Sequence, residues 1–261
     1  MTQSSVFPAK KRTEKYGLEA FQEADLYLPT TKHPAVVCLL HGGFWRMPYG
    51  REQLVPMAKD LVSKGFAVWN IGYRRLGANG GGWPGTFNDV ILALNHLGSL
   101  VQSGIDLDLT RVIVAGHSAG GHLALWSAAQ PRRNPSEIEV LTVKPVATIG
   151  LAPVIDLIST FDLGSGDNAV GELLGGSPKD ISERYSVSSP QEMLPLGVPQ
   201  LLVHGTQDDA LPIEFARNYA RSAHTAGDAI DFVELPDAGH MDYLDLNSEA
   251  YSVFYQWLAR F

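Results

Sequence analysis

The stretch RVIVAGHSAGGH, residues 111–122, decides the fold. Its first five residues, Arg111 to Ala115, form an apolar, β-branched run of the kind that makes a buried strand. Gly116 and Gly120 then bracket Ser118, and residues 120–129 read as a helix. A G-x-S-x-G between a strand and a helix demands a very tight turn, with the serine in strained backbone and its hydroxyl raised clear. Glycine on either side lets neighbouring backbone approach without a Cβ clash. The helix that follows aims its first N–H groups and the positive end of its dipole at that serine. Ser118 is therefore a candidate nucleophile. The strand before it and the helix after it carry this reading more than the five-letter pattern does.

Working outward, the chain alternates short β-rich runs with longer helical ones. Runs at 35–40, 66–71, 146–151, 199–203 and 230–235 join 111–115 as predicted strands, each bounded by turn residues. Helical spacing is present at 51–63, 86–101, 120–129, 213–224 and 248–258. Val90, Leu92, Ala93 and Leu97 share one helical face; Val253, Phe254 and Trp257 share another, with Ser248 placed to cap its helix. Strands apolar throughout and alternating with helices predict an α/β fold, a mostly parallel sheet with helices on both faces. The connection 154–198 is the exception, rich in Gly, Ser and Pro, with helical pieces near 169–174 and 181–185. Long connections inside a compact domain are usually functional. This one, after the sixth strand, reads as a small cap above the sheet edge within a single domain spanning 1–261.

Composition narrows the function classes. Of 261 residues, 45% are hydrophobic, which excludes intrinsic disorder. The single cysteine, Cys38, cannot form an internal disulfide and lies in an apolar strand, where it reads as an inert core thiol. A net charge of −8 argues against a phosphate-binding face, so no nucleic-acid partner is expected. Residues 1–15 are polar, carry Lys10, Lys11, Arg12 and Lys15, and lead into no apolar signal core. They read as a frayed, solvated terminus on a cytoplasmic protein. No apolar run approaches bilayer length, so no membrane partner is expected. The 26 glycines exceed the usual share and point to tight turns and close backbone approaches.

Three further stretches carry chemistry. His41-Gly42-Gly43-Phe44-Trp45 directly follows the strand at 35–40. Paired glycines leave backbone N–H groups able to face an anionic oxygen, as an oxyanion hole requires. Gly43 and Phe44 are the expected donors, joined by Ala119 after the nucleophile. The strand at 199–203 opens into Gly205-Thr206-Gln207-Asp208-Asp209, where either aspartate could face a base. The last strand ends at Leu235, and Pro236-Asp237-Ala238-Gly239-His240 puts His240 on a loop at the same carboxyl edge, free to reach Ser118. His33, His96, His117, His122, His204 and His224 show no metal-ligand spacing such as H-E-x-x-H. They read as structural, with His117 also a pocket candidate, and neither a metal nor a cofactor is expected. The glycine-rich loop 72–85 lacks both G-K-[ST] and G-x-G-x-x-G, which leaves a flexible loop rimming the site. On it, Trp83 fits either an aromatic wall or plain packing. Trp45, Tyr49 and His117 complete the expected substrate pocket.

These residues resemble the α/β-hydrolase superfamily. The order Ser118, Asp208, His240 matches its chain order of nucleophile, acid and base. The G-x-x-D-x-x-L-P spacing from Gly205 to Pro212 matches the fold's pattern and favours Asp208 over Asp209. The HGGFW stretch is similar to the H-G-G-x-W element of kynurenine formamidases (arylformamidases) and of small, feruloyl-esterase-like bacterial esterases near the prolyl-oligopeptidase group. The resemblance runs from about Tyr27 to the C-terminus. It implies a cofactor-free serine hydrolase of small or aryl carboxylic esters acting through an acyl-enzyme. Arylformamidase activity on N-formylkynurenine is the alternative, since the motif serves esters and formamides alike. A peptidase would need a propeller for which the chain is too short, and non-catalytic relatives usually lack a triad member. The implied partner is a small ester or amide; the oligomeric state is left open.

Overall fold

Strands with apolar residues on both faces require cover on both sides, and the computed structural model, which describes residues 10–129 and 136–261, provides it. The elements in chain order begin with β1 (Lys10–Lys15), β2 (Glu23–Leu28) and β3 (Ala35–Leu40). Then come α1 (Val55–Ser63), β4 (Ala67–Ile71), α2 (Gly85–Gln102), β5 (Asp108–His117), α3 (Ala119–Ala129) and β6 (Ala147–Leu151). The segment after β6 carries α4 (Leu157–Leu163), α5 (Ser165–Leu174) and α6 (Ser182–Ser188). β7 (Gln200–Gly205), α7 (Ile213–Thr225), β8 (Ile230–Leu235) and α8 (Glu249–Leu258) complete the chain. The strands form one sheet in the order β1-β2-β4-β3-β5-β6-β7-β8. It is parallel from β4 to β8, with β1 and β2 antiparallel at one edge.

The period of two sorts each inner strand between the layers. In β3, Val36, Cys38 and Leu40 face a core built with α2, α3, α7 and the segment after β6. Ala35, Val37 and Leu39 face the second core, built with α1 and α8. In β5, Val112 and Val114 join the first core, Ile113 and Ala115 the second. The register pairs Leu40 with Gly116, so β3 and β5 end side by side in the middle of the sheet. α3 is buried along its whole length, as a helix apolar all round should be.

Two elements depart from expectation. Residues 10–15 are an ordered edge strand rather than a frayed end; Met1 to Ala9 lie outside the described residues. β1 pairs with β2 from Lys10–Leu28 to Lys15–Glu23 through its backbone while its KKRTEK side chains stay largely exposed. An edge strand lined with lysine can pair on one side and discourage pairing on the other. β2 itself carries the fully buried Leu26 beside the charged ends Glu23 and Asp25, a pattern too short to show in sequence.

The segment after β6 is tied to the body by side chains of α3. The ring of His122 donates to the Ser188 carbonyl at 2.9 Å, and the Trp126 indole to Val187 at 3.1 Å. Asp156 caps α4 by accepting from the amides of Ile158 and Ser159. Leu173, Leu174 and Tyr185 pack into the first core.

A buried ion pair fixes the loop after β4. Asp89 on α2, with no exposure, accepts from the Arg74 amide and guanidinium, each at 2.7 Å, and from Gln22 at 2.7 Å. Two residues on, Leu76 donates to the Trp45 carbonyl at 2.7 Å, so the pair also steadies the turn of the HGGFW stretch. Removing one partner of a buried pair strands the other charge. Asp89→Ala is therefore expected to lower the unfolding free energy by about 3–5 kcal/mol in urea titrations. A loss below about 1 kcal/mol would show that the pair is not structural.

Candidate active site

The turn from β5 into α3 places the serine. Ser118 has φ +55°, a conformation that costs a residue with a Cβ about 1–3 kcal/mol. Three hydrogen bonds hold it there. Its amide donates to Leu151 at 2.9 Å, and its carbonyl accepts from His122 at 3.0 Å and Val154 at 3.2 Å. Behind it, the backbone at Gly120 lies so close to the end of β3 that a Cβ would overlap the carbonyl oxygens of Leu40 and His41. A Cβ at Gly42 would stand 3.0 Å from the His117 carbonyl oxygen and 3.2 Å from the Ser118 Cβ. The turn after β3 therefore lies directly against the serine.

Within that turn Gly43, Phe44 and Trp45 all have positive φ, at 101°, 49° and 55°. Successive N–H groups in such a turn form a concave surface suited to an anion. The turn is braced from below. His41 donates from Nδ1 to the Gly42 carbonyl at 2.8 Å and stacks on Tyr73 at 4.3 Å, while the Tyr73 hydroxyl donates to the His41 carbonyl at 2.8 Å.

The loops after β7 and β8 bring an imidazole and a carboxylate into line with the serine. Ser118 Oγ lies 3.0 Å from His240 Nε2, and His240 Nδ1 lies 2.8 Å from Asp208 Oδ2. The other Asp208 oxygen accepts from the amides of Ala210 and Leu211, both at 2.9 Å. His204 Nε2, at the end of β7, stands 3.2 Å from Oδ2 and 3.1 Å from the Leu211 carbonyl. Burial opposes ionisation of Asp208, but donation from His204, His240 and the Leu211 amide outweighs it and holds the carboxyl well below the usual carboxylate range. Asp209 is exposed. Ser118 itself is only 2% exposed.

The expected pocket residues fare differently. Tyr49 lies at the rim, half exposed, with its ring against Gly43. Trp45 is not in a pocket: its left-handed backbone turns the ring fully into the core, edge-on to His122 at 5.2 Å. His117 is not a pocket residue either. It is buried beneath the loop after β8 and donates from Nε2 to the His240 carbonyl at 2.7 Å. Trp83 packs edge-on against Phe87 at 5.1 Å and takes Leu173 as the acceptor of its amide, so packing describes its contacts. His204 and Arg46 carry contacts to the site that no local pattern announces. Among the described residues, no group of three or more His, Cys, Asp or Glu could hold a metal, and no helix is long and apolar enough to cross a membrane.

Known proteins resemble this chain in sequence and in fold. The BD-FAE family model matches residues 24–222. Esterase LipC of Mycobacterium tuberculosis is 24% identical over 254 residues, 90% of this chain and 60% of its own. Kynurenine formamidase avaC of Aspergillus versicolor is 25% identical over 218 residues, 69% of this chain and 72% of its own. The chain spans 60% or less of the length of the first curated relatives it matches. Among solved structures, the esterase Est2 of Thermogutta terrifontis with propionate bound superposes with a TM-score of 0.77 at 21% identity, covering 96% of this chain and 94% of that one. The fold is the α/β-hydrolase fold.

Three buried histidines around the site are neutral for one reason. His41, His117 and His122 each spend one ring nitrogen on a carbonyl, of Gly42, His240 and Ser188 respectively. The opposite nitrogen of each lacks a partner among the described residues. Burial, opposed by those carbonyl bonds, pushes His41 down to about 3 and His117 and His122 down to about 4; the nearby His240 lowers His117 further. These values lie below the unfolded one of about 6.5. Above that pH both states are neutral and nothing is lost. Below it the unfolded chain takes up protons that the folded one refuses, so stability falls by about 1.4 kcal/mol per pH unit per histidine until pH nears 4. Urea midpoints are therefore expected to drop sharply from pH 7 to pH 5, and less sharply in His122→Gln, which keeps a donor for Ser188 without titrating. Equal midpoints at the two pH values would contradict neutral burial.

Proposed function

The chain belongs to the BD-FAE family, and from that premise we propose that it is a serine hydrolase of small or aryl carboxylic esters. The observation that carries this is the hydrogen-bonded line from Ser118 through His240 to Asp208. In the proposed reaction Ser118 Oγ attacks the ester carbonyl while His240 Nε2 takes its proton. Asp208 holds the Nδ1–H tautomer and stabilises the imidazolium. The amides of Gly43, Phe44 and Ala119 receive the developing oxyanion, a contribution of about 3 kcal/mol for each donor. His240 then passes the proton to the leaving alkoxide as the C–O bond breaks. Water, deprotonated by the same imidazole, attacks the acyl carbonyl; the bond to Ser118 Oγ breaks, the imidazolium returns its proton to Oγ, and the carboxylic acid leaves.

The surroundings support a small, apolar substrate. The serine is almost sealed, and Tyr49, Leu163 and Met241, all on segments flanking the site, expose 50%, 52% and 59% of their surface. Apolar groups exposed on the segments around a buried serine favour an acyl or aryl group over a charged one. Arylformamidase activity is the second reading, supported by the HGGFW stretch and by the kynurenine formamidase relative. The same nucleophile, base and oxyanion donors would serve a formamide carbonyl, with an aryl amine leaving instead of an alkoxide.

Hydrolysis of p-nitrophenyl acetate is expected to fall by roughly a thousandfold or more in Ser118→Ala, the scale on which a triad serine acts. Wild-type rates retained in that variant would reject the assignment. The two substrate readings separate on kcat/KM for phenyl acetate against N-formylkynurenine. The ester is expected to be preferred; a strong preference for the formamide would replace the first reading by the second.

A further inference from the structure

A strained turn rests on Phe44, in the turn that lies against Ser118, and is held there by one arginine. Gly166, Asp167 and Asn168, inside the kinked start of α5, have φ of 63°, 51° and 61°. Two of these residues bear a Cβ, so the turn is costly and persists only where its surroundings hold it. On one side, the Gly166 backbone rests on the Phe44 ring; a Cβ there would stand 2.5 Å from ring Cδ1. On the other side, the Ser165 hydroxyl donates to the Ala210 carbonyl at 3.3 Å. Phe44 is two residues from Gly42, which lies against Ser118, and Ala210 is two residues from Asp208. The segment is thus attached beside both ends of the serine–histidine–aspartate line.

Arg46 supplies the anchor. It leaves the same turn as Phe44 and donates from Nη1 to the Gly166 carbonyl at 2.6 Å and from Nη2 to the Asp167 carbonyl at 2.9 Å. Its guanidinium also pairs with Glu172 at 2.8 Å, one turn further along α5. A planar guanidinium spreads five donors over a rigid fork and so reaches two carbonyls and a carboxylate from separate nitrogens, whereas an ammonium offers three donors from a single point. Leu163 immediately precedes the turn, Met241 follows His240 and Tyr49 packs on Gly43, each an exposed apolar side chain.

We infer that Arg46 is a specificity-determining residue. Its fork holds the 164–168 turn down on Phe44, limiting the group that reaches Ser118 to a small one; released, the turn lifts and longer apolar acyl chains enter along the exposed apolar side chains. The inference rests on the ester-hydrolase reading above. Neither Arg46 nor the turn touches the reacting atoms, so their effect is on which substrate fits.

The test compares p-nitrophenyl octanoate with p-nitrophenyl acetate in wild type, Arg46→Met, Arg46→Lys and Gly166→Ala, alongside amide hydrogen exchange across 164–174. Arg46→Met is expected to raise the octanoate-to-acetate ratio of kcat/KM by about tenfold, mainly through a lower KM for octanoate, and to speed exchange in the turn. Gly166→Ala pushes the turn off Phe44 with Arg46 intact, and it should move the ratio in the same direction. Arg46→Lys keeps the Glu172 pair without the fork and should fall between wild type and Arg46→Met. A ratio within about twofold of wild type in both Arg46→Met and Gly166→Ala overturns the inference while leaving the ester-hydrolase reading in place. No turnover of either ester by the wild type overturns both.

Discussion

The close approach of two backbones in the middle of the sheet is the constraint on which the rest depends. β3 and β5 are parallel neighbours that end level with each other, Leu40 beside Gly116. The first turn of α3 must therefore pass over the carbonyl end of β3, and Gly120 makes that passage possible. The consequence is positional. The chain leaving Leu40 enters the H-G-G turn at the place where Ser118 emerges, so the oxyanion donors proposed here and the nucleophile are held by one contact.

Around that contact the molecule accepts local strain in exchange for position. Ser118, Phe44, Trp45, Asp167 and Asn168 all sit in left-handed backbone without being glycine. Each such residue costs on the order of 1–3 kcal/mol and persists where its surroundings over-determine it. Here the surroundings are hydrogen bonds to main-chain carbonyls: Leu151 for the Ser118 amide, Trp45 for Leu76, Gly166 and Asp167 for Arg46. The buried histidines belong to the same scheme. His41, His117 and His122 donate to the turn after β3, to the loop after β8 and to the segment after β6, so each neutral ring ties down one segment around Ser118. Asp208 is the opposite case, a buried charge kept ionised by donors on both oxygens.

What could be read in the sequence followed local rules. The strands at 35–40 and 230–235 have the bounds that their apolar runs predict, and Ser248 caps α8 through the Tyr251 amide. Ser118, Asp208 and His240 could be named because each stands just after a strand end, and the parallel sheet brings those ends to one edge. What could not be read was set by contacts distant in sequence or by backbone sense. β1 and β2 pair mainly through main chain, and the charges on β1 mask it as a loose terminus. Trp45 belongs to a motif that places it beside the site, but two left-handed residues before the ring send it into the core. Arg46 finds Glu172 at 126 residues' separation, and His204 meets Asp208 only because the loop after β7 folds back over the strand end.

Every step proposed at the site depends on Ser118 being activated by His240 and, through it, by Asp208. The most direct measurement is the rate and position of labelling by a fluorophosphonate, read by peptide mass spectrometry in wild type, Asp208→Asn and Asp209→Asn. The expected result is a single adduct on Ser118, slowed by roughly two orders of magnitude or more in Asp208→Asn and little changed in Asp209→Asn. An adduct on another residue, no adduct at all, or equal slowing by the two asparagine variants would contradict it.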